Sequence, residues 1–183
     1  MWTVPNAISF ARLLLIPWFL WLVFSAQDYT AAGLLLGFIG GTDWIDGYLA
    51  RRLNQVSKLG EFLDPLADRL AVAAAVIGGL IADVLPTWFA VAIIVRELAI
   101  AVGALVVGVR ARDKLEVRHL GKIATALLYA AIPGFYVAVG TGITAWNVYA
   151  YSLGVPGLIA YYVVAFQYVG DARTVVRARR DRT

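Results

Sequence analysis

Four aspartates in two close pairs are the residues of this chain with the clearest capacity for chemistry. Asp43 and Asp46 are three residues apart, and Asp64 and Asp68 are four apart. Either spacing puts both members of a pair on one helix face, and the short connection between the pairs lets all four converge on one cavity. Carboxylates that share a cavity repel one another, and divalent cations relieve that repulsion. Oxygen-only ligands favour Mg²⁺ or Mn²⁺.

Few other reactive groups are available. The chain has no cysteine and one histidine, which excludes disulfides, thiolate nucleophiles, zinc sites of the cysteine type and histidine-cluster metal sites. Any catalysis must therefore use carboxylates, Lys or Arg side chains, hydroxyls and the backbone.

The elements that must position the aspartates are membrane-spanning helices. Apolar residues make up 61% of the 183 residues and charged residues only 15%, against roughly 25% charged residues in ordinary soluble domains. At about 20 residues per span, the composition predicts an all-α integral membrane protein. We expect a single domain over residues 1–183, six transmembrane helices in one bundle, and no nucleic-acid partner. The predicted spans are residues 7–24, 31–53, 62–81, 87–109, 123–139 and 146–169.

The basic residues predict the orientation of this bundle. Connections 25–30, 82–86 and 140–145 carry no Lys or Arg, whereas the other two connections and the tail are rich in them. By the positive-inside rule, both termini and the basic connections face the cytoplasm of a multi-pass protein in the cell (inner) membrane. We also expect the arginines of the tail to be attracted to anionic lipid headgroups at the membrane surface.

The depth of the aspartates bears on function. Asp43 precedes Arg51 by eight residues, which puts it about 12 Å from the cytoplasmic end of its helix. Transporters usually bind ions near the midplane, between repeated halves. A metal-bound diphosphate therefore suits this cavity better, although a small cation channel or carrier remains the alternative.

The stretch from Asp43 to Asp68 reads DWIDGYLARRLNQVSKLGEFLDPLAD. It resembles the signature of the CDP-alcohol phosphatidyltransferase family, D-x-x-D-G-x-x-A-R, eight residues, then G-x-x-x-D-x-x-x-D, at all eight specified positions. The segments PNAISFARLLLIP, VREL and LGK extend the resemblance along the chain.

This resemblance implies transfer of a phosphatidyl group from CDP-diacylglycerol to an alcohol, with release of CMP. It implies that Asp43, Asp46 and Asp64 hold two metal ions, and that Asp68 is a ligand that also serves as general base. It further implies a homodimer in the lipid bilayer. The residues implied to bind CDP-diacylglycerol are Asp46, Gly47, Ala50, Arg51 and Gly60, with helix packing as the other explanation of Ala50.

The acceptor alcohol is less strongly specified. Arg96 lies beside Glu97 in an apolar segment, as a structural salt bridge or as part of a site, and the resemblance favours a site that holds an acceptor phosphate. Lys122, Arg173 and Arg112 are weaker candidates for the same role. Such a cluster favours a phosphorylated acceptor, and glycerol-3-phosphate, which would give phosphatidylglycerophosphate, is therefore the predicted acceptor. However, the family's phosphatidylglycerophosphate synthases commonly have G-K-x-K-T where this chain has alanine at 124, which fits phosphatidylglycerol, the acceptor of its cardiolipin synthases. Inositol phosphate is a third alternative.

Overall fold

The computed structural model is all-helical over the residues it describes, as the sequence predicts. It describes residues 4–53, 58–107 and 119–180, with side chains at 10–42, 66–99 and 120–166, and these ranges contain no strand. The single-domain assignment stays a prediction. The helices are α1 Val4–Trp21, α2 Tyr29–Leu53, α3 Lys58–Ile81, α4 Thr87–Val107, α5 His119–Thr141 and α6 Thr144–Arg180.

Several helices extend beyond the predicted apolar segments. Helix α3 begins at Lys58 and α5 at His119, each about one turn earlier than the hydropathy pattern indicates. Helix α6 continues to Arg180, well past residue 169. Hydropathy marks where a segment stops being apolar, whereas the helical backbone continues through polar residues that are good helix formers.

Tight turns join α1 to α2, α3 to α4 and α5 to α6. A π-helical turn, Leu22–Ala26, ends α1, and Gln27 follows in the left-handed region at φ 53°. Asp28 then caps α2, because its Oδ1 accepts a hydrogen bond from the Ala31 amide at 2.9 Å. Gly142, at φ 68°, makes the turn after α5. Turns this short make the helices of each pair antiparallel.

Helix α5 is the centre of the packing and contacts α2, α3 and α6. Gly33 lets α2 approach it closely, since a Cβ at that position would lie 2.8 Å from the Pro133 carbonyl oxygen. The buried hydroxyl of Tyr136 donates to the Ala75 carbonyl of α3 at 2.7 Å. The ring of Phe19 packs edge-on against Tyr136, with centroids 5.4 Å apart. These contacts attach α1, α2 and α3 to α5.

Large apolar side chains cover the outside of this bundle. Phe166 is 73% exposed, Ile81 66% and Val148 64%, an arrangement that suits a lipid environment better than water. Two helical segments, Leu120–Thr141 and Thr144–Phe166, are long and apolar enough to cross a bilayer, and shorter apolar segments cover Phe10–Ala26 and Tyr29–Thr42. That all six helices cross the membrane stays a prediction.

Candidate active site

The two aspartate pairs lie on helices α2 and α3. Asp43 and Asp46 belong to the second half of α2, and Asp64 and Asp68 to the first half of α3. The helical backbone puts the members of each pair on one face. Of the four side chains, that of Asp68 is within the described part of the structure, and the described residues hold no metal-binding cluster. The convergence of all four carboxylates therefore stays a prediction.

Asp68 forms an ion pair with a buried arginine of α1. Arg12 Nη1 lies 2.7 Å from Asp68 Oδ1, and the Arg12 side chain is 1% exposed. A charge buried this completely needs an opposite charge close by, because its desolvation is otherwise too unfavourable. The pair thus fixes the Asp68 carboxylate and ties α1 to the aspartate motif.

Asp68 also borders two hollows in the bundle. A small one of about 30 Å³ lies towards α2 and α5, where Gly40 and Pro133 line it. A larger one of about 480 Å³ lies among α3, α4, α5 and α6, within the size range of ligand sites. Beside Asp68, its polar or charged side chains are those of Arg69, Arg96, Glu97, Thr125, Tyr129 and Tyr161, and the rest of its wall is aliphatic.

On the wall formed by α4 and α6, Arg96, Glu97 and Tyr161 contact one another. Arg96 Nη1 lies 2.8 Å from Glu97 Oε1, and its Cζ lies 3.4 Å from the centroid of the Tyr161 ring. The Tyr161 hydroxyl donates a hydrogen bond to the same Glu97 oxygen. Arg69 Nη1 is 3.5 Å from Glu97 Oε2. The cavity is therefore lined by the Asp68 carboxylate of α3 and by the Arg96 guanidinium of α4, whose position is fixed by Glu97 and Tyr161.

The residues predicted to bind an acceptor are distributed unevenly. Arg96 lines the cavity together with Asp68. Lys122 is exposed in the first turn of α5 and is not among the lining residues. Arg173 lies in α6 with its side chain outside the described set, and Arg112 lies outside the described residues altogether.

The predicted nucleotide-binding residues all lie in helices. Gly47, Ala50 and Arg51 belong to α2, and Gly60 belongs to α3. Their side chains lie outside the described part of the structure, so the contacts assigned to them stay predictions.

Sequence reasoning missed Arg12, Tyr129 and Tyr161 as residues of this site. Arg12 carries a sequence signal, because it is the one charge in the first apolar segment. The two tyrosines carry no such signal. The sequence alone does not distinguish a tyrosine that lines a cavity from one elsewhere in the bundle, because that depends on how the helices pack.

Comparison with known proteins identifies a family for this chain. The family described as CDP-alcohol phosphatidyltransferase matches residues 2–168. A CMP-forming cardiolipin synthase of Streptomyces coelicolor is 35% identical over 96% of this chain and 85% of its own length. The CDP-diacylglycerol–glycerol-3-phosphate 3-phosphatidyltransferase of Bacillus subtilis is 39% identical over 68% of this chain and 72% of its own. The Escherichia coli enzyme of that name is 32% identical over 70% of this chain and 74% of its own length.

Proposed function

The chain belongs to the CDP-alcohol phosphatidyltransferase family, and we propose on that basis that it transfers a phosphatidyl group from CDP-diacylglycerol to an alcohol with release of CMP. One structural observation carries the proposal. Asp68, the last aspartate of the motif, borders a cavity of about 480 Å³ that also presents Arg96. A carboxylate and a guanidinium that line one cavity are the groups needed to accept a proton from an alcohol and to bind a phosphate.

The proposed reaction is a displacement at the lipid-side phosphorus of CDP-diacylglycerol. The acceptor hydroxyl oxygen attacks this phosphorus, and its proton passes to the Asp68 carboxylate. The bond from phosphorus to the bridging oxygen breaks, and CMP leaves with the electron pair. Arg12 supports this role of Asp68, because its 2.7 Å contact holds the carboxylate at the cavity wall.

Divalent metals are general cofactors of this family. We assign Asp43, Asp46, Asp64 and Asp68 as the residues that would hold two Mg²⁺ or Mn²⁺ ions, since an all-carboxylate donor set on two helix faces fits hard cations. Bound ions would neutralise the diphosphate and the leaving CMP. In the same proposal, Arg51 pairs with a phosphate, and the small residues Gly47, Ala50 and Gly60 leave room for the nucleotide.

For the acceptor we propose phosphatidylglycerol, which would give cardiolipin, in place of the glycerol-3-phosphate that the sequence favours. Among the described residues of the cavity wall, the two arginines, Arg69 and Arg96, both contact Glu97 already, and most of the wall is aliphatic. A lipid with one phosphodiester charge suits such a wall better than a phosphate monoester. Ala124, at the position of the second lysine in G-K-x-K-T, is fully buried and adds no charge. The Streptomyces relative that matches 96% of the chain is named for cardiolipin synthesis.

Glycerol-3-phosphate is the second candidate. Arg96 on the cavity wall suits its phosphate, and the Bacillus and Escherichia relatives are named for this acceptor. No described residue specifically favours inositol phosphate. Membership in a family of transferases argues against the channel or carrier alternative.

The location and assembly form part of the same proposal. The basic connections support a cell-membrane protein whose termini and active site face the cytoplasm. The family resemblance supports a homodimer.

An acceptor panel tests the proposal. The purified chain in nanodiscs receives CDP-diacylglycerol, Mg²⁺ and one acceptor at a time, and CMP release and the lipid product are measured. We expect the fastest release with phosphatidylglycerol, together with cardiolipin. Faster release with glycerol-3-phosphate would reverse the acceptor assignment, and no release with any acceptor would overturn the reaction. Metal-dependent ion flux without CMP would support a channel or carrier.

A further inference from the structure

We propose that Tyr161 is a positioning residue that acts through Glu97 to hold Arg96 in the orientation that binds the acceptor phosphate. This inference rests on the proposed function, because it takes the cavity beside Asp68 as the place where the acceptor enters. It concerns affinity for the acceptor and leaves the binding of CDP-diacylglycerol unaffected.

Three contacts close a triangle around the Arg96 guanidinium. Arg96 stacks on the Tyr161 ring, with Cζ 3.4 Å from the ring centroid, in the geometry of a cation–π interaction. Its Nη1 lies 2.8 Å from Glu97 Oε1, and the Tyr161 hydroxyl donates to that same oxygen. Arg96 is 11% exposed and Glu97 32%, so the guanidinium is largely shielded from the surroundings and the carboxylate is partly open to them.

Tyr161 is needed because Arg96 and Glu97 are adjacent in α4. Neighbours i and i+1 on a helix point in different directions and do not normally pair. The hydrogen bond from Tyr161 of α6 restrains the Glu97 carboxylate in the orientation in which it contacts Arg96. Arg69 contributes little to this, since its side chain is 65% exposed and 3.5 Å from Glu97.

The triangle leaves Arg96 with donors for a ligand. Its Nη1 is engaged by Glu97, while its buried Nε has no hydrogen-bond partner among the described residues. A buried donor without a partner is unfavourable, and a guanidinium binds phosphate oxygens through parallel N–H groups. A phosphate in the cavity would supply the oxygen that this donor lacks.

The neighbouring tyrosine offers a matched control. The Tyr162 hydroxyl donates to the Ala92 carbonyl at 2.7 Å and so also links α6 to α4. Tyr162 is not among the residues that line the cavity. Tyr161→Phe and Tyr162→Phe therefore each remove one hydroxyl and one hydrogen bond between the same helices, and only the first loosens Glu97 and Arg96.

The test measures KM for phosphatidylglycerol and for CDP-diacylglycerol by CMP release in the two variants and the unsubstituted protein. We expect Tyr161→Phe to raise the acceptor KM about tenfold, the effect of one hydrogen bond to a charged group, with the CDP-diacylglycerol KM within about twofold. Tyr162→Phe should change neither constant. Glu97→Gln, which keeps an oxygen for the tyrosine but loses the charge that holds Arg96, should also raise the acceptor KM.

Two results would overturn the inference while leaving the proposed function intact. One is an unchanged acceptor KM in Tyr161→Phe, whatever the result for Glu97→Gln. The other is an equal rise of both KM values in Tyr161→Phe, which indicates a structural effect. If the unsubstituted protein releases no CMP with phosphatidylglycerol, glycerol-3-phosphate or inositol phosphate, the proposed function itself fails, and the inference fails with it.

Discussion

The guanidinium of Arg12 lies 2.7 Å from the carboxylate of Asp68, although 56 residues separate the two in the chain. Arg12 is almost completely buried, and Asp68 borders the large cavity. Helix α1 therefore contributes to the proposed site, because its Arg12 fixes the position of Asp68, the proposed general base. Loss of either partner should therefore affect both the reaction and the packing of α1 on α3.

Replacing Asp68 should abolish phosphatidyl transfer. Asp68→Asn keeps the size of the side chain and a carbonyl oxygen for Arg12, but the amide cannot accept the proton of the acceptor hydroxyl. We expect CMP release to fall by at least about 10²-fold, in line with the usual contribution of general base catalysis. Asp83→Asn, in the exposed turn between α3 and α4, is the matched control and should keep full activity. Retained activity in Asp68→Asn would remove Asp68 as the base.

Replacing Arg12 should lower both stability and turnover. Arg12→Met leaves Asp68 without its 2.7 Å partner, and a hydrogen bond between charged groups contributes about 1.5–3 kcal/mol. The unfolding midpoint and kcat should both fall. Arg69→Met, which removes an arginine that is 65% exposed, should change the free energy of unfolding by about 0–1 kcal/mol. Equal effects of the two changes on the unfolding midpoint would contradict the importance of the Arg12 contact.

The sequence predicts the helices of this protein well and their ends less well. Apolar stretches long enough to span a bilayer indicate where helices must be, because a buried backbone has to satisfy its hydrogen bonds internally. They do not indicate where a helix ends once it leaves the apolar region. Helix α6 reaches Arg180, with Arg173 inside it, for that reason.

The site is predictable where its residues are close in the sequence. The spacing of the four aspartates identifies the motif without a structure, and Arg96 stands out as a charge in an apolar segment. The partnership of Arg12 with Asp68 depends on which helices pack together, and no local pattern encodes that. Tyr161 is one of nine tyrosines, and only the packing of α6 on α4 brings it under Arg96.

Removal of divalent cations should stop the reaction. With four carboxylates assigned to the site and the diphosphate of the donor adding more negative charge, we expect no measurable CMP release in excess EDTA. Added Mg²⁺ or Mn²⁺ should restore activity, and EDTA already saturated with Mg²⁺ should have no effect. Full activity after exhaustive chelation would contradict the metal assignment.

Two glycines of α2 should respond differently to alanine. Gly33→Ala introduces a Cβ 2.8 Å from the Pro133 carbonyl oxygen, so α2 must move away from α5, whereas a Cβ at Gly37 would have its nearest contact at 4.0 Å. We expect a lower unfolding midpoint for Gly33→Ala. Gly37→Ala should be neutral or stabilising by up to about 1 kcal/mol, because alanine favours the helix. Equal midpoints in the two variants would contradict the close packing of α2 on α5.

The fate of the lipid-side phosphorus tests the central claim most directly. CDP-diacylglycerol labelled with ³²P at that phosphorus and with ¹⁴C in the cytidine is incubated with the protein, Mg²⁺ and phosphatidylglycerol. The proposed displacement predicts that all released ¹⁴C is CMP and that an equal amount of ³²P enters cardiolipin. Release of ³²P into water-soluble CDP, or ¹⁴C-CMP without a labelled lipid product, would contradict phosphatidyl transfer.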